Sequence, residues 1–331
     1  MSVQSRTVSE DEAEIRLDRW FRRHYPTVTQ SMIQKLCRTG QVRVDGRRAE
    51  AATRLAAGQA VRIPPLPAEP PPAPPRRSLS LDPGTEAELA RMVIYRDEHL
   101  IALNKPYGLP VQGGPGIVRH LDAMLHGLSF GGERPRLVHR LDRDTSGVLL
   151  LARTPGVAAK LAAGFRGRDI AKTYWAVVAG RPVPVEGEID LPLKRASGPR
   201  GERTVVADRD DRQAGRAITE YRTLDHAAQK LAWLELRPLT GRTHQLRVHC
   251  VALGAPILGD RKYAEPDQNG AGSAIVQGLS EKLHLHARAL RLPHPAGGML
   301  VVEADLPNHI RETFRTVGFS APAARAPERR R

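Results

Sequence analysis

Residues 137–152 read Leu137-Val138-His139-Arg140-Leu141-Asp142-Arg143-Asp144-Thr145-Ser146-Gly147-Val148-Leu149-Leu150-Leu151-Ala152. Two apolar runs, Leu137-Val138 and Val148 to Ala152, enclose a polar segment, which is the sequence form of strand, polar turn and buried strand. Dense polar chemistry set between two core segments points to a site. If the approach is extended, alternate side chains share a face, so Arg140, Asp142 and Asp144 lie together with carboxylate beside guanidinium. One reading is a salt-bridged turn closed by the Thr145 and Ser146 hydroxyls and by Gly147. The other makes one aspartate a nucleophile or general base held ionised by arginine. Residue types alone do not choose between Asp142 and Asp144.

The chain has 331 residues, which at about 150 residues per domain predicts two domains. Its 51 Lys and Arg against 36 Asp and Glu leave a net charge of +15, an imbalance suited to polyanions, with nucleic acid first among them. Cys37 and Cys250 are the only cysteines, too few for a disulfide framework or a thiolate metal site. The first residues carry serines and acids rather than a basic and then apolar leader, and no run of apolar residues is long enough to span a bilayer. A soluble, cytoplasmic protein without a membrane partner is expected, and a monomer.

Upstream of the central stretch, Ile15, Leu17, Trp20, Phe21 and His24 recur at near-helical spacing among arginines, and Met32, Ile33 and Leu36 do so again before Gly40. Val42 and Val44 then enter an Asp45-Gly46 turn, and Val61 to Ile63 form a closing strand. Residues 15–63 hold 11 Lys and Arg against 3 acids, so this small α+β unit fits polyanion contact at least as well as a merely solvated basic surface. Residues 64–75 contain 8 prolines, which favours a semi-rigid spacer over 64–85 rather than a core element or an SH3 ligand. The domain boundary is expected there.

From Met92 the texture is that of a larger α+β domain. Strands are predicted at 93–95, 100–103, 172–178, 217–224, 231–236, 283–292 and 300–304, and helices at 121–128, 157–165, 241–253 and 307–317. Residues 180–216 read as long hairpin connections, and the tail 318–331 as disordered and basic. The Gly113-Gly114-Pro115-Gly116 loop lacks the ending of a phosphate loop, so no nucleotide cofactor is indicated. His244 and His249 are five apart, without the glutamate and spacing of a metalloprotease, so no metal site is expected. Asp144-Thr145-Ser146-Gly147 is not an aspartic-protease signature, since it lacks the direct Asp-Thr/Ser-Gly order and a second copy.

His139-Arg140-Leu141-Asp142-Arg143-Asp144-Thr145-Ser146-Gly147 resembles the signature of the RluA-type pseudouridine synthases. The likeness extends to Leu103-Asn104-Lys105-Pro106, the Gln112-Gly113-Gly114 loop, Lys172-Thr173-Tyr174, the run Gly241 to His249 and Gly259-Asp260. Residues 14–63 resemble the alpha-L RNA-binding module first recognised in a ribosomal small-subunit protein, and that pairing is similar to the branch acting on large-subunit ribosomal RNA. The resemblance implies a pseudouridine synthase fold over 90–317, an α+β domain whose mixed, mostly antiparallel sheet forms a central cleft. It implies Asp142 as the catalytic aspartate, Tyr174 packed on the uracil, and Arg247 paired with the catalytic carboxylate. His139, Arg140 and Leu246 would face the substrate, with Arg140 filling the gap left by an extruded base, and Arg16, Lys35, Arg38, Arg43 and Arg47 would contact RNA. Isomerising uridine adds and removes no group overall, so no cofactor is expected. The alternative from another class is a noncatalytic ribosome-assembly factor using the same RNA-binding surfaces.

Overall fold

Apolar residues at helical spacing fold residues 17–24 and 30–38 into two helices, α1 (Leu17–His24) and α2 (Gln30–Arg38), whose buried faces meet over a small sheet. The computed structural model describes residues 3–25, 28–66, 82–114, 116–167, 169–198, 201–264 and 276–330, in two compact units, Met1–Ser80 and Leu81–Arg331. In the first unit the sheet consists of β1 (Gln4–Thr7), β2 (Arg43–Val44), β3 (Arg47–Arg48) and β4 (Ala60–Ile63), ordered β1-β4-β2-β3. Asp45 and Gly46 both take positive φ, which suits the tight reversal between β2 and β3. Trp20 and Phe21 are fully buried, and the indole N–H donates to Glu12 at 2.9 Å. Thr29 caps α2 by accepting the Met32 N–H at 3.3 Å. Most of the expected Pro-rich spacer, residues 67–81, lies outside the described residues.

The second unit begins with α3 (Pro83–Met92), capped by Asp82, whose carboxylate accepts the Thr85 N–H at 3.0 Å. The proline at the first helical position belongs to a helix start, so the irregular stretch expected up to 85 ends sooner. There follow β5 (Val93–Arg96), β6 (Leu100–Lys105), α4 (Leu121–Met124), β7 (Arg136–Leu137), β8 (Ser146–Ala152), α5 (Pro155–Gly167) and β9 (Ala171–Ala179). Next come β10 (Glu186–Asp190), β11 (Leu193–Gly198), β12 (Gly201–Val206), β13 (Ile218–Ala227), β14 (Leu231–Pro238), α6 (Gln245–Ala252), β15 (Leu285–Pro293), β16 (Met299–Glu303), α7 (Asn308–Val317) and β17 (Glu328–Arg330).

One mixed sheet organises these elements in the order β10-β13-β14-β9-β15-β8-β6-β5. Its described pairings are antiparallel except β15 with β8, where His286 faces Ser146 and Ala287 faces Gly147. This matches the predicted fold class. Every residue of β8 is buried because the sheet is covered on both faces. Leu149 and Leu151 pack with Leu121 and Leu125 of the α4 region, while Val148 and Leu150 pack with Val157 and Leu161 of α5. Each such leucine contributes roughly 1.5–3 kcal/mol of burial. A third cluster joins Trp175, Trp233, Phe314 and Phe319 under α7.

The hairpin texture expected within 180–216 is present as β11 paired with β12. One expectation is corrected. The tail beyond Gly318 is pinned: Phe319 is buried, Arg288 donates to the carbonyls of Pro322 and Ala323, and β17 adds to the free edge of β16. Composition pointed to disorder, but an unpaired strand edge and an aromatic pocket supply bonds that composition does not register.

Candidate active site

The polar segment 138–145 leaves the sheet after β7 and rejoins it at β8, so its shape is set by turn bonds. Thr145 N–H donates to the Asp142 carbonyl at 3.2 Å, and Gly108 N–H to the Arg143 carbonyl at 3.0 Å. Beneath it Lys105, fully buried, donates all three ammonium hydrogens to carbonyls: Pro106 at 2.8 Å, Leu109 at 2.9 Å and Arg143 at 2.9 Å. Burial pulls its pKa down to about 7, against the opposing charges of Asp144 and Asp142. Leu141 anchors the segment in the core, and the Asp142 side chain remains 24 % exposed.

Asp142 lines a cleft of about 370 Å³. Five pieces of chain form its walls: the 138–145 segment, α5 through Ala162, Phe165 and Arg166, the start of β9 with Lys172 and Tyr174, the turn 238–244 running into α6 with Leu246 and Arg247, and Leu285 at the start of β15. All six catalytic-domain residues singled out from the sequence, His139, Arg140, Asp142, Tyr174, Leu246 and Arg247, meet there. Burial pushes the Tyr174 phenol well above its ordinary value, and the charge of Asp142 adds to the shift. Arg140 is exposed at the rim. Asp144 instead takes two hydrogen bonds from its neighbour Arg143, at 3.0 and 3.2 Å, in a surface turn pair.

His139 has a structural engagement that its residue type did not announce. Its Nε2 accepts the Leu150 N–H at 2.8 Å, and its ring stacks on Phe165 with centroids 4.3 Å apart. Burial, with the nearby Lys172 charge, lowers its pKa to about 3. The ring is thus a neutral tie between the polar segment and β8.

The pairing expected of Arg247 is corrected. Its guanidinium grips Asp260, Nε to Oδ2 at 2.8 Å and Nη2 to Oδ1 at 2.6 Å, with both side chains buried. Asp260 is held in place because the backbone N–H groups of Lys262 and Tyr263 also donate to it, at 3.0 and 3.2 Å. A fixed, buried carboxylate offering both oxygens suits the planar fork better than a half-open one at the cleft mouth. The side chain facing Asp142 is His244, with Nε2 3.7 Å from Oδ2.

Of the five cations expected to contact RNA, all lie in the first unit and are exposed. Arg16 is engaged by Asp18, at 2.8 and 3.2 Å, and Arg43 by the Gly40 and Gly46 carbonyls, at 3.2 and 3.1 Å. Among the described residues no group of three or more His, Cys, Asp or Glu is placed to hold a metal, and no helix is long and apolar enough to cross a membrane.

Residues 99–252 match the sequence profile of the RNA pseudouridylate synthases. The chain is 36% identical over 303 residues to the ribosomal large subunit pseudouridine synthase C of Rickettsia bellii, an alignment spanning 89% of this chain and 95% of that protein. This chain belongs to the RNA pseudouridylate synthase family. It is an isomerase of that class. A mitochondrial relative, the pseudouridylate synthase RPUSD4 of Xenopus tropicalis, is 38% identical over 71% of this chain and 83% of its own length. Human RNA pseudouridylate synthase domain containing 4 shares the fold, with a TM-score of 0.61 and 31% identity over 72% of this chain and 97% of that one.

In this pseudouridine synthase, reasoning from the sequence missed Lys105, His244, Asp260 and Tyr263 as parts of the site. Lys105, His244 and Asp260 stood inside quoted motifs. A lysine directly after the apolar strand of β6 was the available signal, because a buried ammonium needs several acceptors close by.

Proposed function

We propose that this protein converts particular uridines of large-subunit ribosomal RNA to pseudouridine, with Asp142 as the catalytic group. The reaction breaks the bond from ribose C1′ to uracil N1, joins C1′ to C5, releases the C5 proton and returns a proton to N1, so the formula is unchanged and no cofactor enters the balance. What supports Asp142 is its position: a carboxylate at the mouth of a cleft walled by the Tyr174 ring, Leu246 and Arg247, beneath an exposed arginine, Arg140. Asp144, the competing carboxylate, is occupied by Arg143.

The steps follow from that arrangement. A stacked uridine must leave its helix at a cost of a few kcal/mol. Arg140 at the rim is suited to fill the space that opens, and Tyr174 and Leu246 offer apolar surface against the freed base while it turns. Asp142 acts on the nucleoside by attack at the sugar or ring, or by proton transfer. Arg247, fixed by Asp260, supplies positive potential to the cleft rather than a direct partner.

Within the first unit, residues 14–63 are read as an alpha-L module that holds RNA through Arg16, Lys35, Arg38, Arg43 and Arg47, and the Pro-rich stretch from residue 64 up to α3 is read as the spacer to the synthase domain, residues 90–317. Exposure of all five on a small basic unit supports this, and the names of the Rickettsia relatives support the ribosomal target. Sequencing pseudouridines in ribosomal RNA from cells with and without this gene tests the reading. Loss of specific large-subunit sites, restored by the wild-type gene and not by Asp142→Asn, is the expected result. An unchanged pseudouridine map would overturn the ribosomal target, and restoration by Asp142→Asn would favour a binding-only assembly factor.

A further inference from the structure

The turn that opens α6 holds His244 in the left-handed region, φ 54° and ψ 20°, where histidine and asparagine are tolerated better than most side chains. From there its ring spans two residues. Nδ1 lies 2.6 Å from the Tyr263 hydroxyl, and Nε2 lies 3.7 Å from Asp142 Oδ2. The Tyr263 oxygen accepts the backbone N–H of Thr204 at 3.1 Å, and its own hydrogen can be donated to Nδ1. An imidazole that accepts at Nδ1 and is neutral carries its hydrogen on Nε2, directed at the carboxylate. Burial holds His244 below the ordinary histidine value; Asp142 and Asp260 oppose that shift, while Arg247 and Lys262 add to it.

Tyr263 is itself fixed from several sides. Its ring packs against the cluster of Leu193, Ala217 and Val248, the Arg247 guanidinium lies 5.0 Å from its centroid, and its N–H donates to Asp260. Thr204 belongs to β12, so the β11–β12 hairpin fixes the Tyr263 hydroxyl that faces His244.

We propose that His244 is a positioning residue for the isomerisation: oriented by the Tyr263 hydroxyl, its Nε2–H aims the Asp142 carboxylate at the nucleoside. The distance to Asp142 closes to a hydrogen bond when substrate fills the cleft, as such contacts commonly do. This inference rests on Asp142 being the catalytic group.

Side-chain geometry supplies a test that separates positioning from local folding. Glutamine places an amide donor near the Nε2 position and so keeps the contact to Asp142. Asparagine reaches only as far as Nδ1: it suits the left-handed backbone and accepts from Tyr263, but leaves Asp142 alone. Single-turnover release of tritium from RNA labelled at uridine C5, prepared from cells lacking this gene, is measured alongside RNA affinity and melting temperature. His244→Gln is expected within about tenfold of the wild-type rate, whereas His244→Asn and His244→Ala fall by about 100-fold, the size of an ångström-scale misplacement. Tyr263→Phe, which keeps the ring, is expected to lose about tenfold, the size of one hydrogen bond. RNA affinity stays at the wild-type level in all four.

If His244→Asn matches or exceeds His244→Gln, or if all four variants turn over at the wild-type rate while Asp142→Asn is inactive, the proposal is overturned and the catalytic aspartate stands. If Asp142→Asn keeps the wild-type rate, the aspartate assignment fails and the role of His244 falls with it.

Discussion

At Lys105 one side chain connects the sheet to the catalytic segment. Replacing it with methionine keeps the volume and removes a costly buried charge, but takes the lysine donor from the Pro106 and Leu109 carbonyls and leaves the Arg143 carbonyl with the Gly108 N–H alone. Each orphan costs about 1–3 kcal/mol, so Lys105→Met is expected to destabilise the synthase unit by about 3 kcal/mol, read as a lower denaturation midpoint. An unchanged midpoint would mean those carbonyls find other donors. Glu12 supplies a pH test in the first unit. Burial opposes its charge, yet hydrogen bonds from Trp20, His24 and Ser9 outweigh burial and bring its pKa to about 2 from the ordinary 4.5. A depressed carboxylate stabilises the fold above its unfolded value and loses that contribution as pH falls through the folded one. Trp20 fluorescence is therefore expected to report loosening of the first unit between about pH 4.5 and 2, and Glu12→Gln to remove that dependence. The motif resemblance named Arg247 and Asp142 and paired them, whereas the guanidinium grips Asp260. Which carboxylate an arginine grips depends on a turn 13 residues further on, and on backbone N–H groups that no side-chain pattern reveals.

Among the elements, β8 and its neighbours were the most legible, because a run buried on both faces leaves a strong apolar signature at 148–152, and the strand itself begins two residues earlier, at Ser146. Gly147 shows what the run does not display. Its φ is +110°, and a Cβ there would lie 2.2 Å from the Ala287 carbonyl oxygen across the parallel pairing with β15. Gly147→Ala is therefore expected to cost more than about 4 kcal/mol and to abolish soluble protein; wild-type melting would show that β15 can retreat. The hairpin β11–β12 was legible only as hairpin texture without strand bounds, because much of it is exposed and charged and no apolar alternation marks its strands. The tail stayed hidden because its Ala, Pro and Arg residues are bound through backbone groups and a single aromatic. Phe319 sits against Phe314 and Trp233, with centroids 5.4 and 6.3 Å away, and Phe319→Ala is expected to cost about 3 kcal/mol and to expose amides of 319–330 to exchange.

For the whole molecule, net charge was the most direct reading of all: +15 requires a polyanion or a counterion cloud. If five cations of the first unit each displace about one counterion, RNA affinity falls by about 100-fold or more between 50 and 200 mM salt. The triple variant Lys35→Ala, Arg38→Ala, Arg47→Ala is expected to flatten that slope by about two to three and leave the bound-state turnover rate alone. A slope equal to that of the wild type would assign RNA contact to another surface. The proposed isomerisation depends on a single oxygen pair in the cleft, that of Asp142. Its sharpest test uses purified Asp142→Asn protein, with RNA affinity and tritium release from uridine C5 measured in the same preparation. Wild-type affinity with no release is the predicted result; release at the wild-type rate would contradict it.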